Sequence, residues 1–142
     1  MCFNPSLSLG IVCKGCFVPK HMNFGAIFDW DGVVIDSALQ HERSWEMLAE
    51  EEGRLLPPDH FEKGFGKVNK VIIPNLLGWT DDPVEIDRLG QRKEELYREL
   101  LRENPLSELP GVRSLLKSLQ TAGIPAVVGS STPRRNLEVA ID

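Results

Sequence analysis

The sequence predicts an α/β fold with a helical subdomain inserted just after the first strand. Three observations carry that reading. Two short apolar runs, 24–28 (FGAIF) and 124–129 (IPAVVG), read as buried strands. The stretch 38–104 between them is nearly all helical in its periodicity and capping signals. A Pro110-Gly111 turn then returns the pattern to helix, strand and helix, the alternation of an α/β layer.

The elements follow in order. After the first run comes DWDG, which is loop chemistry. Ser37-Ala-Leu-Gln40 is a capping box and starts a helix at Ala38, with Leu39, Trp45, Leu48 and Ala49 as its apolar stripe and Gly53 as its stop. Pro57-Pro58 separates it from a short helix near 59–63 and another over about 69–77, where Pro74 predicts a kink. Asp82 at the N-cap and Pro83 at the first position open a long helix carrying Leu89, Leu96, Tyr97, Leu100 and Leu101, which ends before Pro105. Val112, Leu115, Leu116 and Leu119 define an amphipathic helix stopped by Gly123. Thr132-Pro133 reads as the N-cap and first residue of a last helix.

Composition narrows the function classes. With 142 residues, 42% hydrophobic and 26% charged, the chain suits one globular domain. No apolar run approaches the roughly 18 residues of a membrane span. A net charge of −5 speaks against a general electrostatic grip on nucleic acid. All three cysteines lie in the first sixteen residues, which hold no acidic residue. Cys13 and Cys16 form a C-x-x-C pair, either half a zinc site with His21 nearby or a redox pair, or part of a weakly ordered leader over 1–22. The leader reading is preferred, and Met22 directly precedes the first strand-like run. With no disulfide framework and no secretory signal, the expected location is cytoplasmic, organellar import remaining open.

Two constellations carry chemistry. Asp29 and Asp31 stand two residues apart at the end of a predicted parallel strand, where open α/β sheets place ligands. The spacing turns both carboxylates to one side of an extended chain, and Gly32 lets the backbone turn away. One acid can attack a phosphoryl group while the other, held partly protonated by its neighbour, serves a leaving oxygen. The competing reading is an acidic loop that caps the next segment. Ser130-Ser131-Thr132 ends the second run before a helix N-terminus, an arrangement suited to phosphate, or else an ordinary serine-rich loop.

Together, IFDWDGVV, Asp36-Ser37 and AVVGSS resemble the haloacid dehalogenase-like superfamily of phosphatases and phosphomutases, in particular its β-phosphoglucomutase-like branch. The resemblance covers about 23–142. It implies a partial Rossmann-like core (23–36 and 105–142) with an inserted helical cap (37–104). It implies Asp29 as the nucleophile, Asp31 as general acid and base, and Mg²⁺ held by the Asp29 carboxylate and the Asp31 carbonyl. Ser130 and the Ser131 N–H would bind the phosphoryl group, and His41, Trp45 and Lys67 the substrate. For His41 the plain alternative is a half-exposed helix residue, for Trp45 a cap core residue, and for Lys67 a solvated basic face. Asn69 stands about where a phosphoglucomutase carries the arginine that grips a distal phosphate, which favours a phosphatase of small phosphorylated metabolites over a sugar phosphomutase. The family's third-motif lysine and fourth-motif acidic pair do not occur after Ser130. The resemblance therefore implies an N-terminal piece of a longer enzyme, slow or inactive alone, with sheet edges that invite self-association. A non-catalytic fragment or interaction module is the further alternative.

Overall fold

The computed structural model describes residues 24–141, so Cys2, Cys13, Cys16 and His21 lie outside the described residues. The chain is a mixed α/β protein with a Rossmann-like core and a helical insertion. In order, it runs β1 (Ala26–Phe28), α1 (Ala38–Glu52), α2 (His60–Gly64), α3 (Asn69–Val71) with a π-helical continuation (Ile72–Leu76), α4 (Pro83–Glu103), α5 (Val112–Thr121), β2 (Ala126–Val128) and α6 (Arg134–Ile141). It divides into two compact units. A sheet unit holds the residues up to Asp36 and those from Leu106 on, and a helical unit holds Ser37–Pro105. Among the described residues no helix is long and apolar enough to cross a membrane.

In the sheet unit, β1 and β2 pair in parallel, Ala26 opposite Ala126, Ile27 opposite Val127 and Phe28 opposite Val128. The strands are less buried than their apolar runs predict: Ile27 is 77% exposed and Val127 53%. The pleat explains the correction. Phe28 packs on the cluster of Trp30, Val34, Ile35 and Leu137, while Ile27, one residue back, faces the other way. In α5 the amphipathic face predicted from Leu115, Leu116 and Leu119 buries no residue among those described, and only Val112 joins the cluster.

The helical unit is built by α1 and α4. Trp45, Leu48, Ile72, Ile73, Leu89 and Leu96 form its core. Trp45 meets Trp79 edge-on, with ring centroids 6.2 Å apart. α1 starts at Ala38, but the capping box does not form: Ser37 makes no side-chain cap bond, and its ψ of 3° is far from the extended backbone that capping uses. Gln40 Oε1 lies buried without a hydrogen-bond partner among the described residues. Leu39 is 71% exposed and leaves the stripe, whereas Trp45, Leu48 and Ala49 are buried. Gly53, at φ 60°, ends the helix. At α4 the start signal is realised, since Asp82 Oδ1 accepts from the Val84 N–H at 3.1 Å. Pro74 produces no break. The chain widens into a π-helical turn in which the Leu77 N–H reaches the Ile72 carbonyl at 2.9 Å.

Candidate active site

The parallel register builds the site. Beyond Phe28 and Val128, the Gly129 N–H donates to the Phe28 carbonyl at 2.8 Å. Both strands thus release their loops at the same level, Asp29–Gly32 from β1 and Ser130–Thr132 from β2. In the first loop Trp30 is buried between an exposed Asp29 and a half-buried Asp31. Trp30 is the anchor. Its carbonyl accepts from the Val34 and Ile35 N–H groups at 2.9 and 3.2 Å, and its ring packs with Val34, Ile35 and Leu137. Gly32, at φ 73°, makes the turn that L side chains resist, and its N–H donates to the Ile35 carbonyl at 2.9 Å. The 106–109 segment holds the far end: the Leu109 N–H donates to the Val34 carbonyl at 3.0 Å.

The polar contacts link the two loops. Asp29 Oδ1 accepts from the Trp30 N–H at 2.7 Å. The Thr132 hydroxyl donates to Asp31 Oδ2. Ser130 Oγ accepts from the Thr132 N–H at 3.0 Å, which leaves the Ser130 O–H proton available to an acceptor. The last helix starts at Arg134, with Asn136 N–H donating to the Pro133 carbonyl at 2.8 Å, so Thr132 is not its N-cap as the sequence suggests. Its hydroxyl turns to Asp31 instead. Its bond to Asp31 is what sequence reasoning missed here, because it joins positions 101 residues apart.

The other named residues lie in the helical unit. His41 stacks on Tyr97, with centroids 4.1 Å apart and planes 11° from parallel. Its Nδ1 is 2.8 Å from Lys93 Nζ. Trp45 is 5% exposed, within the core. Lys67 is exposed and donates to the Lys63 carbonyl. Asn69 is committed to α4: its amide donates to Glu94 Oε1 at 2.8 Å and to the Gly90 carbonyl at 3.3 Å. Lys93, 3% exposed, was overlooked although the spacing Leu89, Lys93, Leu96 sets it in the apolar stripe.

The model of one protein family, haloacid dehalogenase-like hydrolase, matches residues 25–142. The chain belongs to this family. Among relatives of the haloacid dehalogenase-like hydrolase, a chloroplastic 5-amino-6-(5-phospho-D-ribitylamino)uracil phosphatase of Arabidopsis thaliana is 35% identical over 82% of this chain and 32% of its own length. A family IA, variant 3 hydrolase of Entamoeba histolytica matches with TM-score 0.71 at 27% identity, over 83% of this chain and 53% of its own. The β-phosphoglucomutase of Clostridium difficile matches with TM-score 0.66 at 27% identity, over 83% and 55%. The chain thus spans from a third to about half the length of these relatives.

Magnesium is the ion implied by the family resemblance. Among the described residues no group of three or more His, Cys, Asp and Glu side chains forms a metal cluster. Mg²⁺ asks for less: one or two carboxylates, with water and phosphate oxygens completing its shell. The all-oxygen donors of the Asp29–Asp31 loop, with Asp29 exposed, fit that demand.

Proposed function

We propose that the sheet unit carries the phosphoryl-transfer loops of a Mg²⁺-dependent phosphatase acting on small phosphorylated metabolites. The observation that supports this best is the joining of the two loops, with Asp31 bonded to Thr132 and Thr132 to Ser130 beyond a shared parallel register. In this reading an Asp29 carboxylate oxygen attacks phosphorus, and the bond from phosphorus to the substrate oxygen breaks. Asp31 gives that leaving oxygen its proton. Asp31 then takes a proton from water, whose oxygen attacks the aspartyl phosphate, releasing phosphate and restoring Asp29. The Ser130 hydroxyl and the Ser131 N–H donate to the phosphoryl oxygens as charge builds on them. The Asp29 carboxylate and the Asp31 carbonyl would hold Mg²⁺, which when bound offsets the repulsion between carboxylate and phosphate.

A phosphatase is favoured over a sugar phosphomutase because Asn69 spends its amide on Glu94 and Gly90 and offers no cationic fork to a distal phosphate. The 35% identical relative is also a phosphatase.

The test is phosphate release from p-nitrophenyl phosphate and sugar phosphates with Mg²⁺, in a form of the protein that is active. Loss of turnover in Asp29→Asn and Asp31→Asn, at unchanged unfolding midpoint, supports the assignment. Wild-type turnover in Asp31→Asn overturns it. Dependence on a bisphosphate primer, with transfer to a sugar hydroxyl instead of water, would establish the phosphomutase.

A further inference from the structure

The Thr132 side chain stands where a helix cap is expected and is used for something else. Its hydroxyl donates to Asp31 Oδ2, and its backbone N–H donates to Ser130 Oγ at 3.0 Å. The helix that follows is served by the Pro133 carbonyl, which accepts from the Asn136 N–H at 2.8 Å. The residue is also held from beneath. Leu137, in the first turns of α6, is buried with Trp30, Val34 and Ile35, the apolar underside of the Asp29–Asp31 loop. The backbone carrying Thr132 and the backbone carrying Asp31 therefore rest on one cluster. A threonine suits such a link because its β-branch stiffens χ1, so little rotamer freedom is lost when the bond forms.

An acid that must meet a leaving oxygen needs its carboxylate in one χ1 well. We propose that Thr132 is a positioning residue for phosphoryl transfer, fixing the Asp31 carboxylate in a single rotamer beside the Ser130 hydroxyl. This rests on the role given to Asp31 above. One residue sets both groups: the backbone of Thr132 orients the phosphate-binding serine, and its side chain orients the acid.

Two substitutions separate the hydroxyl from the shape. Thr132→Val keeps the branch and loses the donor, and Thr132→Ser keeps the donor. Both leave the N–H to Ser130 in place. Three-bond couplings of the Asp31 Cβ protons, read by NMR on the 142-residue chain, should report one rotamer in the wild type and in Thr132→Ser, and averaged couplings in Thr132→Val. Thr132→Ala is the second hydroxyl-free probe should the valine variant fold poorly. In a form of the protein that turns over p-nitrophenyl phosphate with Mg²⁺, kcat should fall about 10- to 100-fold in Thr132→Val with KM little changed, and Thr132→Ser should restore it. An unchanged Asp31 rotamer in both hydroxyl-free variants overturns the inference whatever the activity. Wild-type turnover in Asp31→Asn overturns the catalytic role of Asp31 instead, and the couplings still tell whether Thr132 holds that carboxylate.

Discussion

The Gly129 N–H donates to the Phe28 carbonyl at 2.8 Å, one step beyond the last paired residues of the parallel ladder. That bond sets the level at which Asp29 and Ser130 leave their strands. Two substitutions at Gly129 should therefore differ sharply. A Cβ there would meet Ile27 Cγ2 at 3.1 Å, but Ile27 is exposed and free to yield, so Gly129→Ala should cost well under about 1 kcal/mol. Gly129→Pro removes the donor, leaves the Phe28 carbonyl short of a partner and should cost roughly 1–3 kcal/mol. Urea unfolding and amide exchange at β1 and β2 check both. Equal costs for the two variants would show that shape, not the rung, matters.

The core of the helical unit gives a second prediction. Leu89 is fully buried against Trp45, Leu48, Ile72, Ile73 and Leu96. Leu89→Ala should destabilise this unit by about 2–5 kcal/mol, through lost transfer energy and the cavity left behind. Leu39→Ala, on the same predicted stripe as Leu48 but 71% exposed, should fall within about 0.5 kcal/mol of wild type. Denaturant midpoints followed by tryptophan fluorescence distinguish the two, since Trp45 and Trp79 lie in or against that core.

How far the sequence was legible follows from the range of the forces involved. Local signals held where the determinants are local. Asp82-Pro83 starts α4, Gly53 ends α1, and the order of strand, helical segment, helix, strand and helix stands in the fold. In the Asp29–Asp31 loop Trp30 is buried between an exposed and a half-buried acid. What failed depended on distant partners or on backbone angles. The Ser37 capping box needed an extended backbone that the chain does not adopt there. Pro74 marks the irregularity that the sequence predicts, and its form, a π-helical turn over Ile72–Leu76, is set by the packing of Ile72 and Ile73 and not by local signals. The Thr132 hydroxyl looked like a cap because its true acceptor lies 101 positions away. Lys93 is buried at 3% exposure in the apolar stripe of α4, where lysine is seldom found, and its partners on other elements are not encoded locally.

Acid should weaken the helical unit through two guanidinium clamps. Arg88 holds Glu52 by two bonds of 2.8 and 2.7 Å, and Arg92 holds Glu51 by two of 2.9 and 2.7 Å, both joining α4 to α1. Hydrogen bonds from Arg92 keep Glu51 below the usual carboxylate range, and those from Arg88 do the same for Glu52 and Glu85. These groups bind protons more weakly folded than unfolded. Their contribution is therefore fully present above the unfolded value near 4.3 and is lost as pH falls through the lower folded values. The urea midpoint should be flat from about pH 8 to 5.5 and should drop below about pH 5, by a modest amount because the pairs are solvent-screened. Arg88→Met together with Arg92→Met should flatten that drop, as should 1 M salt. An acid limb of unchanged size in the double variant would assign the drop to other carboxylates.

The contact between Lys93 and His41 gives a prediction about the imidazole tautomer. A lysine ammonium has only donors, so a charged Lys93 with Nζ 2.8 Å from His41 Nδ1 would make that nitrogen an acceptor and put the proton of the neutral ring on Nε2. The lysine is 3% exposed, lies 3.2 Å from Glu94 Oε1 and sits 5.6 and 5.2 Å from the ring centroids of Trp45 and Tyr97, so it is held from several sides. Long-range ¹⁵N–¹H correlations on the imidazole should show the Nε2–H form in the wild type. Lys93→Met keeps most of the buried volume and removes the donor, so the Nδ1–H form should then appear. Lys93→Ala should lose more stability than Lys93→Met, because it also forfeits the packing of the stem on the two rings. Nδ1–H as the main form in the wild type would mean that Lys93 does not donate to His41, and the buried lysine would then owe its charge balance to Glu94 and the aromatic faces.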